Sequence, residues 1–372
     1  MGDGYGYTID CNPLETRTIL ESYINIIKNV TGDDFRYLED CKPQICSAIW
    51  STGNSDISGV GMIAGYLINT VLGFSLAMTF AVAQHLSKGN PCRTSSLLGN
   101  LFRTYFNCAI YFAVSIQIAN VVIFAKKDMG ITASGFGGLT EQMTWCISLL
   151  TMLPLLFPVF IQGVFRDRND LRYFLFCICW ALFFYTFQSH MASSFGNTSQ
   201  IGDKGPRKTD GSGPIITTVR WSQISHMCFA GVEVLSDQAW LATQAFGITA
   251  SLFICLLTLI RAGWIILMRR LPEMAMVFRK RFLHERGMKR ICPLILLATV
   301  LILTLPQIWV LFQIRLLQRG LAHELDIQFD DERWTFGQIV AVSFFAPVLA
   351  ELLHDLARRI MTPEEEPSMA LC

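Results

Sequence analysis

Four carboxylates lie at or within long apolar stretches of this sequence, and they are its first candidates for chemistry. They are Asp56, Glu141, Asp237 and Glu351. A carboxyl in an apolar environment favours its protonated form, which can give a proton to a substrate. The chemistry predicted from these residues is general-acid catalysis.

Two of these acids also have an ordinary structural explanation. Ser55 and Asp56 are good N-cap residues, and an acid is favoured by the dipole at a helix N-terminus. Glu351 and Asp355 are one helical turn apart, close to the basic Arg358, as in an acidic pair at the cytoplasmic membrane boundary. Capping and boundary pairing therefore stay open beside catalysis.

Other catalytic motifs are absent from the sequence. There is no hydrolase nucleophile elbow, no HExxH zinc motif and no phosphate-binding glycine loop. The acidic run Asp330-Asp331-Glu332 lies outside the apolar stretches and is interpreted as a solvated turn. We therefore expect neither a metal nor a cofactor.

Long apolar segments must position the four acids. Hydrophobic residues make up 52% of the 372 residues and charged residues 16%, against about 25% charged in soluble proteins. A membrane-spanning helix needs roughly 20 apolar residues. Seven segments qualify, at 57–84, 101–125, 142–165, 171–192, 239–267, 291–315 and 336–357. The sequence predicts an all-α, polytopic bundle of seven transmembrane helices, and its net charge of +1 predicts no nucleic-acid partner.

Basic residues near the segments predict the orientation. They are dense in the loop at 268–290, which we therefore expect to be cytoplasmic. The N-terminus is then lumenal or extracellular and the C-terminus cytoplasmic. The predicted organisation is a lumenal tail over 1–56 with a short amphipathic helix at 14–30, a transmembrane domain over 57–357 with a long outer loop at 193–238, and a cytoplasmic tail over 358–372.

Glycosylation sequons and cysteines agree with this orientation. The sequons at Asn29 and Asn197 both fall on the predicted lumenal side. Outer segments also hold the cysteines that can form disulfides, with a fifth candidate at the outer end of the third segment. The first four are Cys11, Cys41, Cys46 and Cys228, and the fifth is Cys146. Their pairing is left open by the sequence.

Polar side chains recur near the predicted outer ends of the segments. They include Gln117, Asn120, His190, Gln244 and Gln338. Such a set predicts a cavity that opens toward the lumen, although helix caps and headgroup contacts explain it equally well. In the first segment, the GxxxG pattern from Gly61 to Gly65 allows close packing against a neighbouring helix.

Two segments of the chain resemble a known family. NSDISGVGMIAGYL, residues 54–67, resembles the N-x-D-I-x-G-I-G-V signature of a set of fungal seven-span proteins. RWTFGQIVAV, residues 333–342, is similar to the W-T-F-G-Q-I segment that opens their last span. On these residues the chain resembles the membrane-bound terpene cyclases of fungal meroterpenoid pathways, of the ascofuranone and macrophorin type.

The resemblance implies a reaction and a lining for its site. The reaction is the acid-initiated cyclisation of a farnesylated phenol or quinone-like substrate, begun by protonation of an epoxide or a terminal alkene. Aromatic faces stabilise a carbocation. The implied aromatic lining is Tyr66, Tyr105, Trp145, Trp240 and Trp334, and lipid-facing or interfacial packing is the alternative explanation for each. The implied polar contacts are Gln117, Asn120, His190 and Gln338.

A seven-span receptor or sensor is the main alternative. Cys146 and Cys228 would then join the third span to the second outer loop. The third span ends in QGVFRDRND instead of a D/E-R-Y triplet, and the seventh lacks N-P-x-x-Y. A transporter is disfavoured because no internal repeat or pair of broken helices stands out. We expect an enzyme in the endoplasmic reticulum or another endomembrane, and a receptor in the plasma membrane.

Overall fold

The computed structural model describes residues 11, 39–51, 53, 55–86, 93–126, 137–160, 170–192, 224, 226–232, 236–270, 286–329, 331 and 334–361. These residues form helices joined by short turns, with no strand among them. The principal helices are α1 (Lys42–Trp50), α2 (Ser55–Ser58), α3 (Val60–Leu86), α4 (Arg93–Lys126), α5 (Gly137–Met152), α6 (Leu156–Phe160), α7 (Asp170–Ala192), α8 (Asp237–Arg270), α9 (Arg286–Glu324), α10 (Phe336–Ser343) and α11 (Ala346–Met361).

Seven helical segments are long and apolar enough to cross a membrane. They are Ser55–Ala83, Leu98–Ala125, Gly138–Phe160, Leu171–Met191, Gln238–Trp264, Pro293–Glu324 and Phe336–His354. The first span joins α2 to α3, the third joins α5 to α6, and the seventh joins α10 to α11. The predicted seven-span helical architecture is confirmed, and the chain is an integral membrane protein.

The third span is the centre of the bundle. Its apolar window is 94% buried, against 50% or less in every other span. Helix α5 packs against α3, α4, α7, α8 and α9, while α1 covers one end of it. Polar residues explain this position, because they occupy several faces of α5 and lipid offers them no hydrogen bonds. They are Thr140, Glu141, Gln142, Thr144, Ser148 and Thr151, all buried.

Helix α1 covers one end of the bundle, and we name this end the α1 end. There Thr140 at the start of α5 donates a hydrogen bond to Ser51, which follows α1, over 2.9 Å. Lys42 of α1 forms an ion pair with Glu324 at the end of α9, also at 2.9 Å. Helix α1 is therefore attached to both the central and the sixth span.

Two disulfides hold the same end together. Cys11 pairs with Cys41, and Cys46 pairs with Cys228. These are the four outer cysteines that the sequence analysis identified as able to form disulfides. Cys146 is buried with a free thiol, so the Cys146–Cys228 bridge considered for a receptor is wrong.

Prolines interrupt the third and seventh spans. Pro154 lies in the turn between α5 and α6, where Leu156 donates to Leu153 and Phe157 to Pro154 over one residue fewer than in an α-helix. Pro347 follows the turn between α10 and α11. A proline has no N–H to donate, which explains a break at each place.

Several predicted features lie outside the described residues. They are the amphipathic helix at 14–30, the sequons at Asn29 and Asn197, most of the loop at 193–238, and most of both the loop at 268–290 and the tail at 358–372.

Candidate functional site

A buried carboxylate and an imidazole meet between the third and fourth spans. Glu141, in the first turns of α5, lies with its Oε1 atom 3.2 Å from Nδ1 of His190 near the end of α7. Glu141 is 3% exposed and His190 is completely buried. A buried acid is tolerated in a membrane domain when it has a partner of this kind. The pair places a carboxyl and an imidazole within hydrogen-bonding distance inside the bundle.

The side-chain amides of Gln244 and Gln142 continue the hydrogen bonds of His190 to the fifth span. The Nε2 atom of His190 lies 3.4 Å from Oε1 of Gln244 on α8. Gln244 in turn donates from its Nε2 to Oε1 of Gln142 over 2.9 Å, which turns its oxygen toward the imidazole. Both ring nitrogens of His190 therefore face oxygen acceptors.

Aromatic rings enclose the imidazole. The indole of Trp145 stacks on His190 with ring centroids 3.9 Å apart and planes at 21°. The ring of Phe124 on α4 meets His190 edge-on, at 6.4 Å and 89°. Trp145 fits here because Gly247 on α8 leaves room, since a Cβ on that glycine would lie 2.8 Å from Cζ2 of the indole. We name Glu141, Gln142, Trp145, His190 and Gln244 the His190 network.

A second polar layer lies deeper between the second and third spans. Gln117 donates to the Ser148 carbonyl over 3.1 Å and to the Thr151 hydroxyl over 3.2 Å, and it accepts from the Ser148 hydroxyl over 2.8 Å. Asn120, one turn nearer the α1 end, is buried, and its Nδ2 atom has no partner within the described residues. The Gln117 amide thus hydrogen-bonds through both its nitrogen and its oxygen, whereas the Asn120 side-chain nitrogen has no hydrogen bond to any described residue.

The two segments that carry the family resemblance meet at the α1 end. Gln338 of α10 accepts a hydrogen bond from the Gly61 N–H and donates one to the Ser55 carbonyl, both over 2.9 Å. A Cβ on Gly59 would collide with the amide of Gln338, and one on Gly61 would lie 2.5 Å from its Cβ. One amide thereby bridges the break between α2 and α3. We name this contact the Gln338 junction.

Asp56 lies at the exposed rim of this junction. Its Oδ1 atom accepts a hydrogen bond from the Thr335 hydroxyl over 3.2 Å, and its side chain is exposed. Trp334 is 57% exposed and covers Gly61, where a Cβ would lie 2.7 Å from the indole. The contacts of Asp56 therefore connect the first span to the start of the seventh.

The remaining aromatic candidates are buried among helices. Tyr66 donates to the Ile57 carbonyl over 3.3 Å. Tyr105 donates to the backbone and side-chain oxygens of Asn69, both over 3.1 Å. Trp240 is buried, and its indole nitrogen has no partner within the described residues. None of these three has a ring contact with His190 in the part of the chain that the structure describes.

The last two acids lie in other places. Asp237 begins α8, and its side chain is outside the described part of the chain. Glu351 is half-buried on α11, which packs against α4. Asp56 thus contacts the seventh span and Glu141 the fourth, while Glu351 lies on the seventh span itself. The described contacts do not bring these three carboxylates together.

Two residues of the α1 end differ from what the sequence suggested. Gln142 was not identified as a site residue, although it follows Glu141 directly and orients Gln244. Asp331 is completely buried, so the expectation that it is solvated is wrong, while Asp330 and Glu332 lie outside the described residues. The Asp331 backbone carbonyl accepts from Arg315 over 3.4 Å, and its carboxylate lies against Gly53, which is between α1 and α2.

The chain matches no protein-family model, no curated protein and no solved structure. Within the described ranges, no group of three or more His, Cys, Asp or Glu side chains has the geometry to hold a metal ion.

Proposed function

We propose that this protein is a membrane-bound terpene cyclase that closes rings in a farnesylated phenol or quinone-like substrate by acid initiation. The observation that carries the proposal is the buried Glu141–His190 pair with the Trp145 ring stacked on it. Such a cyclisation requires two things of the protein. One is a group that donates a proton, and the other is a set of aromatic faces that stabilise the carbocation.

The proposed reaction starts and ends on the Glu141–His190 pair. The proton leaves the pair for the epoxide oxygen, the adjacent C–O bond breaks toward oxygen, and an alcohol and a carbocation result. With an alkene, the proton adds instead to the less substituted carbon of the terminal double bond, which leaves a tertiary carbocation. Electron pairs of successive double bonds form the new C–C bonds, and loss of a carbon-bound proton ends the sequence. The product has the mass of the substrate.

The surroundings of the pair support this chemistry. Proton donation leaves one negative charge on Glu141 and His190, which attracts the carbocation across a low-dielectric interior. The faces of Trp145 and the ring of Phe124 add a quadrupolar attraction. Both residues of the pair are buried in the protein, and exclusion of water protects a cation from early capture.

The proposed orientation places the α1 end in the lumen of the endoplasmic reticulum or another endomembrane. Both disulfides lie at that end, and disulfides persist in oxidising compartments. The N-terminus would then be lumenal, with glycans at Asn29 and Asn197, and the C-terminus cytoplasmic.

The test is a turnover assay with membranes that contain the full chain. A farnesylated phenol and its epoxide are supplied, and chromatography with mass spectrometry detects a product of unchanged mass and new retention. We expect Glu141→Gln to lower turnover about 100-fold or more, which is the usual contribution of a positioned general acid. The matched control is Glu324→Gln, which alters a carboxylate at the rim of the same end.

Other outcomes would assign the proton donor to a different residue or would contradict the proposed function. If Glu141→Gln keeps wild-type turnover while Asp56→Asn or Glu351→Gln loses it, the proton donor is the residue whose change removes activity. If the wild-type chain forms no product of equal mass from either substrate, it is not this cyclase. Expression is checked by the amount of disulfide-bonded chain in the membrane.

A seven-span sensor is the second candidate. It is favoured by the hydrogen bonds of the His190 network, which join the third, fourth and fifth spans through one imidazole. A proton or ligand that acts on His190 would therefore act on three helices together. Under this function, the membranes would bind the farnesylated phenol and return it with unchanged mass and unchanged retention.

A further inference from the structure

The direction in which the Gln244 amide points decides where the imidazole of His190 carries a proton. A neutral imidazole has one protonated nitrogen, which donates a hydrogen bond, and one bare nitrogen, which accepts. Nδ1 of His190 faces Oε1 of Glu141 at 3.2 Å, and Nε2 faces Oε1 of Gln244 at 3.4 Å. Because an amide oxygen cannot donate, the contact with Gln244 is a hydrogen bond only when Nε2 is protonated.

The direction of this amide also fixes the number of protons on the Glu141–His190 pair. With a proton on Nε2, the contact between Nδ1 and Glu141 needs a second proton, because a carboxylate and a bare nitrogen repel each other. The pair then has no net charge, either as carboxylic acid and imidazole or as carboxylate and imidazolium. If the amide nitrogen of Gln244 faced Nε2 instead, that nitrogen would be bare, the pair would hold a single proton, and it would carry a net negative charge.

Burial favours the pair without net charge. Glu141 is 3% exposed and His190 is completely buried. A net charge in the interior of a membrane domain costs free energy, because protein and lipid solvate it less well than water does. The direction of the Gln244 amide and the proton count that burial favours therefore agree.

Gln142 sets the direction of the Gln244 amide. Its Oε1 atom accepts from Nε2 of Gln244 over 2.9 Å, which leaves the Gln244 oxygen for the imidazole. Gln142 is itself buried in the first turns of α5. The plane of the imidazole is held by the stacked ring of Trp145 and the edge-on ring of Phe124. Protein contacts therefore fix both the ring plane and the amide direction.

We propose that Gln142 and Gln244 are positioning residues that keep two protons on the Glu141–His190 pair. Gln142 orients Gln244, and Gln244 keeps a proton on Nε2 of His190. The proton that the pair can give away is the one between Glu141 and Nδ1, while the Nε2 proton stays with the Gln244 oxygen. This assignment concerns the resting protein, and only its effect on turnover rests on the proposed function.

The assignment specifies the proton steps of the proposed reaction. The proton between Glu141 and Nδ1 passes to the epoxide oxygen or the alkene carbon, and the pair is left with its Nε2 proton and one negative charge. At the end of the cyclisation, the proton lost from carbon returns to the same contact. Nε2 exchanges no proton in either step, because its N–H group donates to Gln244 throughout.

The first test is nitrogen NMR of the full chain in lipid vesicles, with isotope-labelled histidine. The chain has six histidines, and the other five are replaced by asparagine so that every signal comes from His190. Protonated and bare ring nitrogens give separate signals, and couplings to the ring carbons distinguish Nδ1 from Nε2. We expect Nε2 to be protonated. The wild-type chain gives the same reading without these replacements, because the His190 signals are those that His190→Asn lacks.

The second proton has its own signal. If Nδ1 is also protonated, the pair is carboxylate and imidazolium. If Nδ1 is bare, infrared spectroscopy should detect a protonated carboxyl that is absent from Glu141→Gln. Either result counts two protons on the pair and supports the proposal. A bare Nδ1 without a protonated Glu141 would contradict it.

Variants of Gln142 test whether this residue acts through Gln244. Gln142→Met removes the acceptor and keeps the length of the side chain, so the Gln244 amide can turn over. We expect the fraction of His190 with a bare Nε2 to rise about tenfold, as for the loss of one hydrogen bond. Gln142→Glu keeps an acceptor oxygen and should retain the wild-type signals. The control is Gln318→Met, which removes another buried amide at the α1 end and should leave His190 unchanged.

The cyclisation assay gives an independent reading. Gln142→Met should lower turnover about tenfold, because the pair then holds its second proton less often. Gln142→Glu should recover turnover, and Gln318→Met should keep it. If the wild-type chain forms no product, the proposed function fails while the NMR result still stands, so the two failures are distinguishable.

Two NMR results would overturn the proposal. One is a bare Nε2 beside a protonated Nδ1 in the chain with Gln142 intact, since Gln244 would then donate to the ring and the pair would hold a single proton. The other is a set of His190 signals that is the same in Gln142→Met as in the wild type, since Gln142 would then not orient Gln244.

Discussion

The Gln338 junction and the His190 network lie at the same end of the bundle, yet their polar groups are used differently. At the junction, the amide of Gln338 bonds to backbone atoms of the first span, and the nearby Asp56 is exposed. In the network, Glu141 and His190 bond side chain to side chain and are buried. The junction joins two helices through backbone atoms, and the network joins three helices through ionisable and amide side chains.

The residues that carry the family resemblance and the acid that we propose as catalytic lie in different parts of the molecule. The residues that resemble the fungal cyclases are those of the junction, where glycines and a glutamine bring two spans into contact. The acid that we propose as catalytic, Glu141, belongs to neither segment. These two segments therefore show how the first and seventh spans pack, while the acid that we propose as catalytic lies on another helix.

The largest expected effect comes from breaking the buried pair. His190→Leu leaves the Glu141 carboxylate without its imidazole, and loss of one partner of a buried ion pair costs about 3–5 kcal/mol of unfolding free energy. The double variant Glu141→Leu/His190→Leu should recover part of that loss, because no lone charge remains. Denaturant unfolding in detergent micelles measures these two variants and the single variant Glu141→Leu. A loss in the double variant equal to the sum of the two single losses would show that the two residues are not coupled.

The next effect comes from crowding the junction. Gly61→Ala places a methyl group 2.5 Å from the Cβ of Gln338 and 2.7 Å from the indole of Trp334. Overpacking of this kind costs about 1–3 kcal/mol. Gly263→Ala is the matched control, since nothing lies within 4 Å of its Cβ position. If both variants have the same thermal midpoint, the first and seventh spans are not in close contact.

A smaller effect is expected from removing the bridging amide. Gln338→Leu keeps the bulk of the side chain and loses the bonds to the Gly61 N–H and the Ser55 carbonyl. We expect a loss of about 1–2 kcal/mol in unfolding free energy. Gln238→Leu, at an exposed site on α8, is the control. Turnover per folded molecule should be unchanged. If turnover is lost, the catalytic site lies at the Gln338 junction and not at the His190 network.

The smallest effect is expected at Asp56. Asp56→Asn keeps an oxygen that can accept from Thr335, so the unfolding free energy should change by no more than about 0.5 kcal/mol. Turnover in the cyclisation assay should equal that of the wild type. A large loss of turnover without a loss of stability would make Asp56 the proton donor.

The sequence predicted the spans well because hydrophobic length is a property of each segment alone. It placed the third span at 142–165, whereas the structure has Gly138–Phe160. Thr140, Glu141 and Gln142 lower the local hydropathy, but they are buried by other helices and not by lipid. The sixth span ends at Glu324 instead of residue 315, because its last turns pack against α5 and α1 beyond the apolar run.

The candidate site was predicted residue by residue but not as an arrangement. Glu141, Trp145 and His190 were each identified by type and depth, yet their contact depends on how three helices pack, which no local pattern encodes. Gln142 was missed because a central helix has no solvent face against which a polar residue stands out. Asp331 was wrongly expected in water because an acidic run gives no sign that its chain folds back over Gly53.

The two disulfides also constrain how the protein is made. Cys41 and Cys46 lie at the start of α1, and Cys46 must wait for Cys228, 182 residues further along the chain, with four spans between them. At about 5–20 residues per second, the ribosome needs about 10–40 s to supply that partner. During this interval Cys46 lacks its final partner while the first four spans are being synthesised. Helix α1 is therefore fixed over the central span only after more than half of the protein has been synthesised.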